Sequence, residues 1–383
     1  MSIKRMLIEN VGQIGKADIE FGDLTVLVGR QATGKTVFLE LMKLAADTGH
    51  VHTELIKHGY DWGGDRDQFL SLYLGEGMQT VWSSESSIVV DGEPFEESSF
   101  VRKRRTTKFS NVFYIPAQRV LSLANGWPRA FQGFAPQDPF VVREFSEQFR
   151  ILMNKEFSRG GALFPQTNRL KDAYRRLLKA HVFGDFELRV DTHGAQRRLV
   201  LGQESAKSNI PFMAWSAGQR EFVPLLLGLY WLLPAARIQR RDKLSWAVIE
   251  EVEMGLHPSA ISTVLLVVLE LMSRGYKVCL STHSPHVLDV LWGLRVLQDH
   301  GANEDRLLEM FECRKTPQTR KMAKSVLKKK ARVYYFDGQK GEARDISGLD
   351  PGADDSVEAG WGGLTEFSGH VADVVASTVA EAK

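Results

Sequence analysis

Residues Asp23 to Lys43 read DLTVLVGRQATGKTVFLELMK. Leu24 to Val28 is an apolar, β-branched run and predicts a buried strand. Gly29-Arg30-Gln31-Ala32-Thr33-Gly34-Lys35-Thr36 then turns the chain. Val37, Phe38, Leu39, Leu41 and Met42 mark the apolar face of a helix, expected to run to about Ala46, where Asp47-Thr-Gly-His breaks it. Strand, glycine-bounded loop and helix form the context in which G-x-x-x-x-G-K-[ST] signifies phosphate binding. The two glycines let the backbone wrap an anion, and N–H groups at the helix start point at it. Gly29 to Val37 is therefore the expected nucleotide cradle. Lys35 is expected on the β- and γ-phosphates and the Thr36 hydroxyl on Mg²⁺.

Composition sets the frame. The chain has 383 residues, 43% hydrophobic and 25% charged, with a net charge of +2. That suits one large globular domain or two lobes, and restricts any nucleic-acid contact to local patches. Its two cysteines, Cys279 and Cys313, have no metal-like or redox spacing, which points to a reducing compartment. The start, MSIKRMLIENVG, lacks the apolar core of a signal peptide, and the apolar stretches elsewhere are too short to span a bilayer. A soluble, cytoplasmic protein without membrane contact is expected.

Further elements follow in order. Ile3 to Glu9 and Ala17 to Phe21 predict strands. A small antiparallel insert is expected at about 60–110, with Asp91-Gly92 as a hairpin turn. Val112 to Ile115 reads as a buried strand ended by Pro116, with Gln118 and Arg119 just past it, where ligands gather in open α/β sheets. Helices are expected over 140–153 and 168–180, and a hairpin across Thr192-His-Gly. Ser216-Ala-Gly218-Gln219 precedes a helix expected over 221–233, a geometry that suits either a plain N-cap or an anion site. Leu244 to Ile249 predicts a strand that ends in Glu250, Glu251 and Glu253. Such carboxylates beside a phosphate loop suit Mg²⁺ and water activation. A helix over 259–274 and a strand over 277–282 follow, the strand ending in Thr282-His283-Ser284-Pro285. A last strand is expected at 332–336.

Two basic runs stand out. Arg102-Lys-Arg-Arg105 with Lys108 fits either a solvated loop or a contact with nucleic acid or an acidic partner. From Arg314 to Arg332 there are nine basic residues and no acid. That run is a candidate DNA contact, with a solvated face as the alternative. Beyond it, 347–363 reads as a linker and 365–382 as a terminal helix with Phe367, Val371, Val374 and Val375 on one face.

The order phosphate loop, strand-Gln118, Ser216-Ala-Gly-Gln219, Ile249-Glu-Glu251 and strand-Thr-His283-Ser resembles the ABC-type ATPase head of the SMC, RecF and OLD-nuclease group. The resemblance covers most of residues 1–340. It implies an α/β P-loop NTPase fold with a mixed-sheet lobe (1–118 and 244–346), a helical lobe carrying the signature (119–243) and a C-terminal linker and helix (347–383). It implies ATP and Mg²⁺, with Thr36, Gln118 and Glu250 at the metal, Lys35, Glu251 and His283 in catalysis, and Glu251 as general base. It implies that Ser216, Gly218 and Gln219 bind the γ-phosphate held by a second subunit, so that a homodimer forms through the ATP sites. Ser-Thr-His-Ser-Pro and Glu-x-Gly-Leu-His-Pro are most similar to OLD-like anti-phage ATPases, which implies a switch acting on a separate effector protein or on DNA. The alternatives are a non-catalytic, nucleotide-stabilised scaffold and a RecF-like repair ATPase. This sequence departs from the family at Gln31 for Asn, Ala32-Thr33 for Gly-Ser, Glu250 for Asp and Val252 for Pro, which implies slow turnover. The tail after Phe336 is too short for the TOPRIM nuclease domain of OLD nucleases, and 118–216 too short for SMC-length arms.

Overall fold

The computed structural model describes residues 3–103, 107, 109–158, 161–193, 195–203, 209–234, 240–241 and 243–381. Arg104, Arg105 and Lys108 of the first basic run, and Gly194 of the expected hairpin turn, lie outside the described residues.

The phosphate-loop strand sits inside a ten-stranded mixed sheet. Its strands are β1 (Arg5–Val11), β2 (Ile14–Glu20), β3 (Leu24–Val28), β4 (Trp82–Val90), β5 (Glu93–Pro94), β6 (Val112–Ile115), β13 (Trp246–Ile249), β14 (Lys277–Thr282), β15 (Ala331–Asp337) and β16 (Glu342–Asp345). Their spatial order is β5-β4-β1-β2-β16-β15-β3-β14-β13-β6. The run β15-β3-β14-β13-β6 is parallel throughout. β4, β1 and β2 form an antiparallel wing on the other side.

The parallel strands are apolar on both faces because both faces are covered. Val26 and Val28 of β3 enter one core cluster, with Val278 and Leu280 of β14. Leu27 and Cys279 enter the other, with Phe38, Leu41 and Met42 of α1 (Lys35–Lys57). The expected insert at 60–110 contains α2 (Arg66–Leu74), α3 (Glu97–Val101) and the β4–β5 hairpin, turned at Asp91 and Gly92 with φ 52° and 89°. β4 is not separate from the main sheet, since it pairs with β1 and extends the wing.

α1 does not stop at Ala46. It bends at Asp47 (φ −132°) and continues to Lys57. Thr48 Oγ1 donates to the Leu44 carbonyl at 2.6 Å, a back-bond of the kind that bends helices. Asp47 is drawn aside because its carboxylate accepts from Asn111 N, Val112 N and Ser110 Oγ at 2.6–2.9 Å, pinning the bend to the start of β6.

Between β6 and β13 lie a ribbon, β7 (Leu123–Ala124) with β8 (Trp127–Pro128), and the helices α4 (Phe140–Glu156), α5 (Asp172–Leu178) and α6 (Ala217–Leu232). The same segment also holds a four-stranded antiparallel sheet, β9 (Gly161–Phe164), β10 (Phe186–His193), β11 (Gln196–Gln203) and β12 (Asn209–Pro211), of which only the β10–β11 hairpin was legible in the sequence. α7 (Pro258–Ser273), α8 (Pro285–Asp299), α9 (Glu304–Met310) and α10 (Pro317–Val326) follow β13 and β14. Residues 347–364 pack on the core rather than hang free. Leu349 and Trp361 are buried around α11 (Ser356–Ala359), and Trp361 Nε1 donates to the Leu349 carbonyl at 3.3 Å. In α12 (Glu366–Glu381), Glu366 to Ala380 are all exposed. No described helix is long and apolar enough to cross a membrane.

Candidate nucleotide site

The loop after β3 depends on its glycines. Gly29 has φ 150° and Gly34 φ 91°. A Cβ on Gly29 would stand 2.5 Å from the Phe336 carbonyl oxygen, and one on Gly34 2.5 Å from Ile14 Cγ1. Ala32 adopts φ 58° without being glycine, the left-handed conformation that the usual Gly would take at no steric cost. Lys35 is almost fully buried, and its ammonium donates to the carbonyls of Gly29 (2.8 Å) and Arg30 (2.6 Å) and to Thr33 Oγ1 (3.2 Å). Burial lowers its pKa to about 8, although Glu251, Glu253 and Glu250 each pull it upward.

The loop opens onto a cavity of about 260 Å³ that gathers Gln31 to Val37 with Glu251, Ser281 and His283. β3, β14 and β13 are neighbours, so the loop and the last residues of the other two strands meet at one end of the sheet. Gln13 and Ser281 also line the cavity. Gln13 offers no sequence signal, whereas Ser281 opens the Ser-Thr-His-Ser-Pro stretch but was not read as a site residue.

The strand-end acids occupy distinct places. Glu250 is buried, and one carboxylate oxygen accepts from Ala117 N at 3.0 Å. Burial raises its pKa, against the lowering effect of the Thr36 hydroxyl and the Ala117 N–H. Its Oε1 is buried without a hydrogen-bond partner. Glu251 has φ 43°, its N–H donates to Ser281 Oγ at 3.2 Å, and its Oε1 lies 3.7 Å from His283 Nε2. Backbone strain of this kind concentrates at functional sites. Glu253 Oε1 accepts from His283 N at 2.5 Å, tying the ends of β13 and β14 together. His283 is held below its ordinary pKa, first by burial and then by the Lys35 charge, so it is neutral near pH 7.

Mg²⁺ favours oxygen ligands, few of them from protein when phosphates are present. Among the described residues no group of three or more His, Cys, Asp or Glu is placed to hold a metal alone. The donors that fit are the exposed Thr36 hydroxyl and the unpartnered Glu250 Oε1. Gln118 lies at the end of β6 with its side chain exposed, and does not line the cavity.

Arg119, next to Gln118, is fully buried. It donates to the carbonyls of Glu250 (2.9 Å), Glu251 (3.1 Å) and Glu221 (3.2 Å), so one guanidinium joins the ends of β6 and β13 to α6. Ser216, Gly218 and Gln219 lie at the start of α6, which begins four residues earlier than expected. Ser216 Oγ accepts from Gln219 N at 3.3 Å and the Gln219 side chain accepts from Ser216 N at 3.0 Å, a complete capping box. A Cβ on Gly218 would meet the Gly255 carbonyl at 2.5 Å, so the glycine permits α6 to touch the turn after the acids. None of the three lines the phosphate-loop cavity of the same chain.

In the second basic run, ion pairs hold Arg320 to Asp305, Lys329 to Asp23, Lys330 to Glu20, and Arg332 to Glu20 and Asp345. Arg314, Lys315, Lys321, Lys324 and Lys328 make no ion pair with the described residues.

A phosphate loop on the central strand of a parallel core, an antiparallel wing in the same sheet and acids at the end of a nearby strand define an α/β P-loop NTPase fold with an ABC-type head. Residues 129–289 match the family described as "AAA domain, putative AbiEii toxin, Type IV TA system". That match runs from before α4 into α8 and leaves the phosphate loop outside it. No curated protein matches the chain. Similar solved structures include an SMC head bound to the C-winged helix domain of ScpA, at 10% identity over 74% of this chain and 89% of that one, with TM-score 0.41. The SMC head domain from Thermotoga maritima is 13% identical over 76% and 92%, with TM-score 0.31. CbiO1 from Clostridium perfringens, part of the ABC transporter complex cbiONQ, is 10% identical over 90% and 88%, with TM-score 0.35. The phosphate loop and the match of residues 129–289 to an AAA-domain family support a P-loop ATPase.

Proposed function

We propose that the chain binds and slowly hydrolyses ATP, closing as a homodimer with one ATP at each phosphate loop. The observation that carries this reading is the convergence of Lys35, Thr36, Glu251 and His283 on one cavity at the end of the parallel strands. Residues 1–118 and 244–346 form the nucleotide-binding lobe and 119–243 the signature lobe.

Phosphoryl transfer is mostly a matter of positioning and charge. Gly29 to Val37 cradle the phosphates through backbone N–H groups, and Lys35 moves its ammonium from loop carbonyls to the β- and γ-oxygens. Thr36 and Glu250 would hold Mg²⁺, with Gln118 as a further metal residue, and the ion would supply positive charge to the phosphates. Glu251 orients the attacking water and takes its proton. Neutral His283, 3.7 Å from Glu251, donates its ring N–H to the γ-phosphate. Ser216, Gly218 and Gln219, which leave their own cavity untouched, complete the site of the second copy. ATP then favours the closed dimer and ADP the open one, a population shift set by differential affinity.

The output is a change in a separate effector protein, and the setting we propose, from the Ser-Thr-His-Ser-Pro and Glu-x-Gly-Leu-His-Pro wording, is anti-phage defence. DNA is the weaker partner reading, since four of the nine basic side chains between Arg314 and Arg332 are already paired. Measuring phosphate release by wild type, Lys35→Ala and Glu251→Gln tests the ATPase reading. Turnover in the wild type alone supports it, and a wild-type rate equal to Lys35→Ala leaves the non-catalytic scaffold instead.

A further inference from the structure

Two exposed apolar features take no part in the nucleotide site. The first is α12, which starts at the rim of the phosphate loop. Gly362, just before it, packs on the Tyr335 ring, and Tyr335 pairs with Val28, the residue that precedes Gly29. Glu366, in the first turn of α12, lies 4.0 Å from Arg30 of the loop.

Phe367, Val371, Val374, Val375 and Val379 fall on one stripe of this helix, and all five are exposed. Its four valines and Gly369 are poorer helix formers than alanine. Sixteen residues of that composition depend on packing their apolar stripe to stay helical in water. The polar side carries Glu366, Asp373 and Glu381, with no Lys or Arg from Glu366 to Ala382. Helices that lie on membranes carry Lys and Arg on that side. An acidic helix with a bare apolar stripe suits a basic protein surface with an apolar centre.

The second feature lies in the signature lobe. Met213 is 71% exposed, second only to Phe367 at 77% among the exposed large apolar side chains of the described residues. It stands in the single turn Phe212–Ala214, three residues before Ser216. Exposed Leu121 lies in the turn Arg119–Ser122, which packs on α6. Residues 119–243 hold twenty Lys and Arg against eleven Asp and Glu, a formal charge of +9 in a chain whose total is +2. Arg220, in the first turn of α6, makes no ion pair with the described residues.

In the dimer of the proposed function, Ser216 of the second copy reaches the phosphates held by Gly29 to Val37. Met213 of that copy, at most ~11 Å of chain from its Ser216, then comes beside the rim from which α12 starts. We propose that in the ATP-bound dimer α12 straps across the signature lobe of the second copy, its Phe367 and valine stripe covering Met213 and Leu121 and its acids facing that lobe's positive charge. The inference rests on the ATP-driven dimer. The strap is ~24 Å long, and it stays uncovered until ATP brings the second copy to it.

The test measures dimer dissociation constants by analytical sedimentation of the Glu251→Gln chain with Mg²⁺ and saturating ATP. Removal of residues 366–383 is expected to leave binding of a fluorescent ATP analogue unchanged and to weaken the dimer about tenfold. Phe367→Asp and Met213→Asp, each in the full chain, are expected to weaken it comparably, and together no further than the truncation does. Both native cysteines are buried, so a bismaleimide reads the contact directly. A Met213→Cys chain mixed with a Phe367→Cys chain is expected to give a 213–367 link, identified by peptide mass, with ATP and not with ADP. A dimer as tight without residues 366–383 as with them, or a link that forms equally with ADP, would overturn the strap and leave the ATP-driven dimer standing. A full chain that stays monomeric with ATP would overturn the dimer and the strap with it.

Discussion

Lys35 is the residue on which most of the chemistry converges, and its environment sets a pH dependence. Burial brings its pKa to about 8, so the ammonium is intact below that pH and is lost above it. ATP affinity, read with a fluorescent analogue, is expected to be flat from pH 6.5 to 7.5 and to fall above about pH 8, with Lys35→Arg flattening the fall because a guanidinium stays charged. A wild-type affinity constant to pH 9 would contradict the assignment. Gly29 is the second sensitive residue. Gly29→Ala sets a Cβ against a backbone oxygen at 2.5 Å at a left-handed φ, and is expected to cost about 1–3 kcal/mol in denaturant unfolding. An unchanged midpoint would show that the loop has another conformation at hand. At this scale the sequence disclosed the residues whose types are demanded by phosphate chemistry. It placed Arg119 at a strand end beside Gln118 but hid its role, because a buried arginine that bonds three carbonyls on two other segments carries no local pattern.

Among elements, α1 departs most from its sequence pattern. A local breaker, Asp47-Thr-Gly-His, met a tertiary demand: Asp47 caps the start of β6 and pairs with fully buried Lys43. Periodicity reports burial faces, not partners far along the chain, so the bend was invisible. Glu144 of α4 completes that cluster, and Lys43 and His50 hold its pKa near 2 despite the opposing effect of burial. A carboxylate with a depressed pKa contributes fully above the ordinary value of 4.5 and loses that contribution as pH falls toward 2. Glu144→Gln is therefore expected to cost about 3–5 kcal/mol at pH 7 and to lessen the loss of stability between pH 4.5 and 2. Denaturant unfolding across that range checks both, and a cost under about 1 kcal/mol would contradict the ion-pair account. α12 gives the opposite expectation. Its residues Glu366 to Ala380 are exposed, so truncation after Thr365 is expected to change stability by less than about 0.5 kcal/mol. A large loss would mean that the helix is covered by something in solution. The apolar face with Phe367 and Val371 was readable from spacing, but its lack of any cover was not.

For the molecule as a whole, the existence of the strands around the phosphate loop was largely legible, though not their order, because parallel strands buried on both faces leave apolar runs and their ends carry the polar chemistry. The four-stranded sheet of β9 to β12 was not. Apart from the β10–β11 hairpin its strands are short, and their pairing is fixed by packing against α5, α6 and the core. The signature residues are the strongest whole-molecule argument. Ser216 and Gln219 satisfy each other at a helix start, Gly218 touches the turn after the acids, and none reaches the cavity of its own chain. In the proposed reading these residues complete the site of a second copy across a two-fold interface. Light scattering on Glu251→Gln with Mg²⁺ and saturating ATP tests this most directly. The account predicts the mass of a dimer with ATP, a monomer with ADP, and a monomer that still binds ATP when Ser216→Arg is added. An ATP-saturated chain that remains monomeric, or a dimer indifferent to Ser216→Arg, would contradict it.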